Sequence, residues 1–198
     1  MEPEQNSLRL QPTERGFLYG EFSDVNGATC SIQESSLATA GAIWLGPNES
    51  RDGALRTPNR MHLGPDQLIQ LIGPLARFAV RGEGIEQPLL FCDLYGVPSC
   101  LMAHDNGQIL FGVVLPKRAD GSKLIRHDSN FYGNQRDPER SQAVKLLFDD
   151  LREGRSDFLD VDSRMTLNRG MVRPLIGPFR QMIAEGERRS IELRNFEF

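Results

Sequence analysis

Apolar residues in this chain fall in short runs at strand spacing followed by a longer stretch at helical spacing, and that order occurs twice. Phe17 to Phe22 is a β-prone run, Asn26-Gly27 reads as a type I′ hairpin turn, and Ala28 to Gln33 returns as the partner strand. Ala42-Ile43-Trp44-Leu45 predicts a third strand. A polar loop with Pro47, Gly53 and Pro58 leads to Gly64-Pro65-Asp66-Gln67, where a proline in the first helical turn forfeits no hydrogen bond. Beyond it, Leu68, Leu71, Ile72, Leu75 and Phe78 share one helical face. Pro74 interrupts that face and predicts a kink or a split, because it removes a backbone bond and crowds the preceding turn.

The second half begins with Leu89 to Cys92, turns at Tyr95-Gly96 and continues from Val97 to Met102. A turn at Asn106-Gly107 then opens the most apolar strand, Gln108 to Leu115. Residues 116–163 read as an insertion: a polar stretch rich in Gly, Asp and Asn, then a helix from Pro138 with Val144, Leu147, Phe148 and Leu151 inward. Pro178 should bend the next helix as Pro74 bends the first, and Ile191-Glu192-Leu193-Arg194 predicts an edge strand.

Self-similarity binds the two halves. Arg60-Met61-His62-Leu63 returns as Arg164-Met165-Thr166-Leu167, and at the same offset Leu71-Ile72-Gly73-Pro74 returns as Leu175-Ile176-Gly177-Pro178. Phe22-x-Asp24-x-x-Gly27 pairs with Phe91-x-Asp93-x-x-Gly96, and one inserted residue sets Cys30 against Cys100. The expected fold is therefore α+β: a tandem duplication of a β-hairpin/strand plus kinked-helix unit. Residues 1–15 are expected as a flexible tail, 16–84 as a first β-β-β-α repeat, and 88–198 as a second repeat carrying the insertion.

Charge and composition narrow the chemistry. A formal net charge of −4 argues against general binding of duplex nucleic acid, which needs a clustered basic surface. Met1 to Arg15 lacks the apolar stretch of a signal peptide, and no run approaches the roughly 20 apolar residues of a membrane span, so a cytoplasmic location and no membrane partner are expected. The three cysteines, Cys30, Cys92 and Cys100, lack C-x-x-C spacing and read as small buried hydrophobes. With His62, His104 and His127 scattered, neither a metal nor a cofactor is expected. Asp149, Asp150, Asp157, Asp160 and Asp162 lack the glycine and terminal glutamate of a calcium loop and read as a solvated face.

The stretch Cys30-Ser31-Ile32-Gln33-Glu34-Ser35-Ser36-Leu37-Ala38-Thr39, then Ala42-Ile43-Trp44-Leu45-Gly46 and Arg60-Met61-His62-Leu63, resembles a family of small proteins encoded by tailed bacteriophages and prophages. The family pattern reads C-S-L-Q-K-S-S-L-A-T-E-D-A-I-W-L-G, then R-M-H-L, and the likeness covers about residues 16–84. Glu34 stands where the family has Lys, and Ala40-Gly41 replaces an acidic pair. The resemblance implies a viral accessory protein and transfers no reaction.

Several side chains are candidates for binding. Ser31-x-Gln33-x-Ser35-Ser36, followed by Thr39, offers hydroxyls and an amide to a polar ligand or a partner backbone, and these groups equally suit turn capping. Arg60 and Arg164 precede the two helices at matching positions, where a guanidinium fork suits phosphate or carboxylate, at a seam between the copies. An internal salt bridge is the competing use. Sequence places no serine or cysteine nucleophile beside His62, whose counterpart is Thr166, so His62 is assigned to binding and no residue to catalysis. Trp44 is the lone tryptophan, a core residue or a stacking platform. His127-Asp128-Ser129-Asn130 lies in the insertion with no recognisable catalytic partner.

The leading expectation is a non-enzymatic accessory protein that binds a host component, inhibiting antiviral defence by masking a host protein or by sequestering a small phosphorylated signal. The alternatives are an enzyme acting on nucleotides or nucleic acid through His62, His127 and nearby acidic residues, and a structural or assembly factor of the virion or its replication; as to partners, a homo-oligomer stays open.

Overall fold

The chain's alternation of inward and outward side chains is realised in two antiparallel sheets. The computed structural model describes residues 8–35, 41–48, 60–114, 138–153 and 163–196. The first sheet runs in chain order through β1 (Gln11–Pro12), β2 (Leu18–Ser23), β3 (Thr29–Glu34), β4 (Ile43–Pro47) and β5 (Met61–Leu63). The second follows the same plan with β6 (Leu89–Cys92), β7 (Pro98–His104), β8 (Gln108–Val113) and β9 (Ser163–Leu167). Helix α1 (Pro65–Arg81) follows β5, α2 (Pro138–Arg152) lies between β8 and β9, and α3 (Arg169–Phe196) follows β9. The protein is α+β.

One core serves both halves. Cys30, Ile32, Ile43, Leu45, Met61 and Leu63 face inward from the first sheet, and Leu101, Ile109, Phe111, Met165 and Leu167 from the second. Leu68, Leu71, Leu75 and Phe78 of α1 and Val172, Leu175 and Phe179 of α3 complete it. The opposite face of the second sheet is also apolar, and α2 covers it: Leu147, Phe148 and Leu151 pack on Cys100, Met102, Leu110 and Val114. Leu147, Phe148 and Leu151 are three of the four residues read as inward from the insertion's sequence; the fourth, Val144, is half-buried and outside this cluster. Burial there pushes the Cys100 thiol up to about 12, leaving it almost wholly protonated near neutral pH.

Several expectations are corrected. The first hairpin is not a type I′ turn, which requires left-handed backbone at both central residues; among its residues only Gly27 is left-handed, with φ 77°. Asp24 decides this, because its Oδ1 accepts the N–H groups of Asn26 at 2.8 Å and Ala28 at 2.9 Å and holds a longer loop. Asp93 does the same in the second hairpin, accepting from Tyr95 and Val97 at 2.8 Å each. No inserted residue is needed in aligning these hairpins: Phe22 pairs with Cys30 and Phe91 with Ser99, so Cys100 corresponds to Ser31.

Pro74 splits nothing, and α1 runs through it; α3 likewise runs through Pro174 and Pro178. Buried Leu71, Leu75 and Phe78 flank Pro74 and offset the lost backbone bond. The edge strand expected at Ile191–Arg194 is instead part of α3, in a stretch rich in good helix formers (Glu, Arg and Leu). Within the segment expected as a flexible tail, β1 pairs with β2, and Leu8 and Leu10 pack on the core.

Each sheet would end in an open edge, at β5 and at β9, were it not for the other half's hairpin. Asp93 Oδ2 accepts the His62 N–H of β5 at 3.0 Å, and the Leu94 N–H donates to the His62 carbonyl at 2.8 Å. Reciprocally, Asp24 Oδ2 accepts the Thr166 N–H of β9 at 3.1 Å, and the Val25 N–H donates to the Thr166 carbonyl at 2.9 Å. Each loop thus blunts the strand edge opposite it. At the far end of the molecule, the Arg169 guanidinium donates to the Val80 carbonyl at 2.6 Å and caps the C-terminus of α1, a favourable place for a cation.

Candidate functional site: the outer face of the first sheet

Strand alternation sends Tyr19, Gln33, Trp44 and His62 to the face of the first sheet opposite the core. The register lines them up in one row, Tyr19 against Gln33, Gln33 against Trp44, and Trp44 against His62. The hairpin locked onto β5 extends the row with Tyr95 from the second half. Ring centroids lie 4.2 Å apart for Trp44 and His62 and 5.0 Å apart for His62 and Tyr95, both pairs stacked. Trp44 and Tyr95 are 5.8 Å apart, less than those two separations combined, so the rings form a triangle and not a pile.

Arg60 stands beside these rings. Its Nη1 donates to Gln33 Oε1 at 3.0 Å and to Ser31 Oγ at 3.4 Å, and its guanidinium carbon lies 6.0 Å from the Trp44 ring centre. This is a cation held over an aromatic face. Ser31 in turn donates to Asn48 Oδ1, and the Asn48 amide donates to Glu21, which also accepts from the Tyr19 hydroxyl. Burial lowers the Arg60 pKa from its ordinary value, but no described carboxylate forms an ion pair with it. The salt-bridge alternative finds no partner among the described residues.

His62 is 4% exposed, and burial lowers its pKa to about 4, so the ring is neutral near pH 7. Its Nε2 lies 2.8 Å from Ser35 Oγ, a neighbour that sequence reading did not assign to it. The register could have suggested one, since Gln33 and Ser35 lie on the same face of β3 and its extension. Nδ1 is buried without a hydrogen-bond partner among the described residues. A bare acceptor is easier to leave unmade than a buried N–H, so the proton belongs on Nε2, donated to Ser35. That tautomer cannot take a proton from the serine. Ser35 is itself 1% exposed, and no described group orients the ring through Nδ1, as a base in a nucleophile–base pair requires.

Comparison with family models, curated proteins and solved structures finds no match to this chain. The site must be judged on its own residues. The structure brings Arg60, His62, Gln33, Ser35 and Trp44 to one face, as half-buried or buried side chains. Ser31, which the sequence groups with Gln33 and Ser35, joins them, as do Tyr95, Tyr19 and Asn48, which the sequence reading did not single out; Thr39 of the same motif lies outside the described residues. Arg164 sits half-buried on β9 opposite Gly112, on the outer face of the second sheet, the face that also carries the apolar cluster covered by α2. Ser36, the His127-Asp128-Ser129-Asn130 stretch, Asp157, Asp160 and Asp162 lie outside the described residues.

The two outer faces differ where the inner faces agree. Leu110 occupies the place of Trp44, Met102 that of Gln33, Cys100 that of Ser31 and Thr166 that of His62. The second sheet's row is apolar and lies under a helix; the first sheet's row is aromatic and polar. An open groove of about 390 Å³ between α1 and α3, lined by Ile69, Ile72, Ala76 and Ile183, is apolar and formed by other elements. Among the described residues no helix is long and apolar enough to cross a membrane, and no group of three or more His, Cys, Asp or Glu is placed to hold a metal ion.

Proposed function

We propose that this chain is a non-enzymatic accessory protein of a phage or prophage that sequesters a small phosphorylated host ligand on the outer face of its first sheet, blunting an antiviral signal. The observation that carries the ligand class is the Trp44–His62–Tyr95 ring group with Arg60 beside it. Rings of this kind take a planar base by stacking, and a braced guanidinium takes a phosphate. The viral setting rests on the family resemblance over residues 16–84.

The matched hairpins, the reciprocal carboxylate bonds and the repeated β-sheet-then-helix order support a tandem duplication. In that reading one copy kept an open site, and the other was closed by the inserted helix.

The test is to incubate the purified protein with a nucleotide extract of host cells, wash it, denature it and analyse what is released. Retention and release of an unaltered nucleotide is the expected outcome. A converted nucleotide would mean catalysis, and no retained nucleotide would direct attention to protein partners; either result overturns the proposal.

A further inference from the structure

The His62 and Tyr95 rings come from different halves of the chain, so their contact depends on whatever fixes the two backbones relative to each other. A single carboxylate touches both. Asp93, 4% exposed, accepts the Tyr95 and Val97 N–H groups at Oδ1 and the His62 N–H at Oδ2. The Leu94 N–H bond to the His62 carbonyl completes the joint. We propose that Asp93 is the positioning residue of the outer-face site, setting the angle at which Tyr95 meets His62 and Trp44 and thereby the shape offered to a planar ligand.

The molecule contains its own control. Asp24, 2% exposed, accepts the matching three backbone N–H groups, Asn26 and Ala28 at Oδ1 and Thr166 at Oδ2, and in addition the Asn26 side-chain amide at 3.4 Å. At the positions of Tyr95 and His62 it has Asn26 and Thr166, with no ring to orient. Loss of either carboxylate leaves a comparable set of backbone N–H groups without their acceptor. Only loss of Asp93 should disturb the rings.

The inference rests on reading the outer face of the first sheet as a binding surface, yet it is tested without a ligand. Trp44 is the sole tryptophan, so its emission reports on the ring group alone. Asp93→Asn and Asp24→Asn, each in the full chain, are to be compared for denaturation midpoint, Trp44 emission maximum and quenching by acrylamide. Both variants should lose stability to a similar extent. Asp93→Asn should shift the Trp44 emission and make it more readily quenched, and Asp24→Asn should leave both unchanged. Unaltered emission in Asp93→Asn, or an equal shift in both variants, overturns the assignment. Should Asp93→Asn fail to fold, Asp93→Glu, which keeps the charge and displaces both oxygens by one methylene, is read in the same way. Failure of the wild-type protein to retain nucleotide would sink the binding-surface reading while leaving this result intact.

Discussion

Replacing Asp93 with alanine should destabilise the chain by about 3 kcal/mol, and replacing Asp24 should cost about as much, because each change strips the acceptor from three backbone N–H groups held by a buried carboxylate. A surface aspartate would cost a few tenths. The effect reaches past the hairpin, since each carboxylate also fixes the edge strand of the opposite sheet. With one core shared by both sheets, the two halves should unfold in a single transition. The double substitution removes both joints and should cost about 6 kcal/mol if the two losses add, as much as the whole stability of a domain at the low end of the usual range of about 5–15 kcal/mol. Denaturant titration followed by circular dichroism checks this. Two separate transitions in either single variant would show that the shared core does not by itself couple the halves, and a loss within a few tenths of a kcal/mol would show that the clamps contribute little.

Acid should weaken the fold through His62. The folded ring holds its proton with a pKa of about 4, against about 6.5 for a histidine in an unfolded chain. Below about pH 6.5 the unfolded chain binds a proton that the folded chain refuses, so stability falls as pH drops. The loss reaches about 3 kcal/mol by pH 4 and stops growing below the folded pKa. Stability from this residue is therefore complete above pH 6.5. His62→Phe keeps a ring between Trp44 and Tyr95 and removes the titration, so the difference between the two proteins should shrink or reverse steadily from pH 7 to pH 4 in favour of the variant. Parallel stability curves over that range would mean that His62 gains its proton without unfolding.

Much of the architecture could be read from the chain. Period-two alternation located most of the longer strands, and the helical spacing of Leu68, Leu71, Leu75 and Phe78 located α1 with its start at Pro65. β5 escaped because Met61-His62-Leu63 is too short for alternation to register and runs straight into the helix signal. Ile191–Arg194 misled because two apolar residues among charged ones fit strand spacing, whereas the residues before them form helix readily. Asn26-Gly27 misled because the turn signal ignores what a nearby aspartate can do to the loop. The site was half legible. Arg60, His62, Gln33, Ser35 and Trp44 stood out as polar or aromatic residues in apolar surroundings, but Tyr95 lies on a turn of the other half. Only the Asp93 joint brings it to His62, and contacts of that sequence separation have no local signature.

The most direct measurement is a titration of Trp44 emission with host nucleotide extract in three proteins: wild type, Arg60→Ala and Arg164→Ala. If the first sheet carries the binding surface, the wild type and Arg164→Ala give a saturable change, and in Arg60→Ala the response is lost or needs at least about tenfold more extract, as expected for removal of a charge-assisted phosphate contact. A response that survives in Arg60→Ala, or that disappears equally with Arg164→Ala, contradicts that assignment.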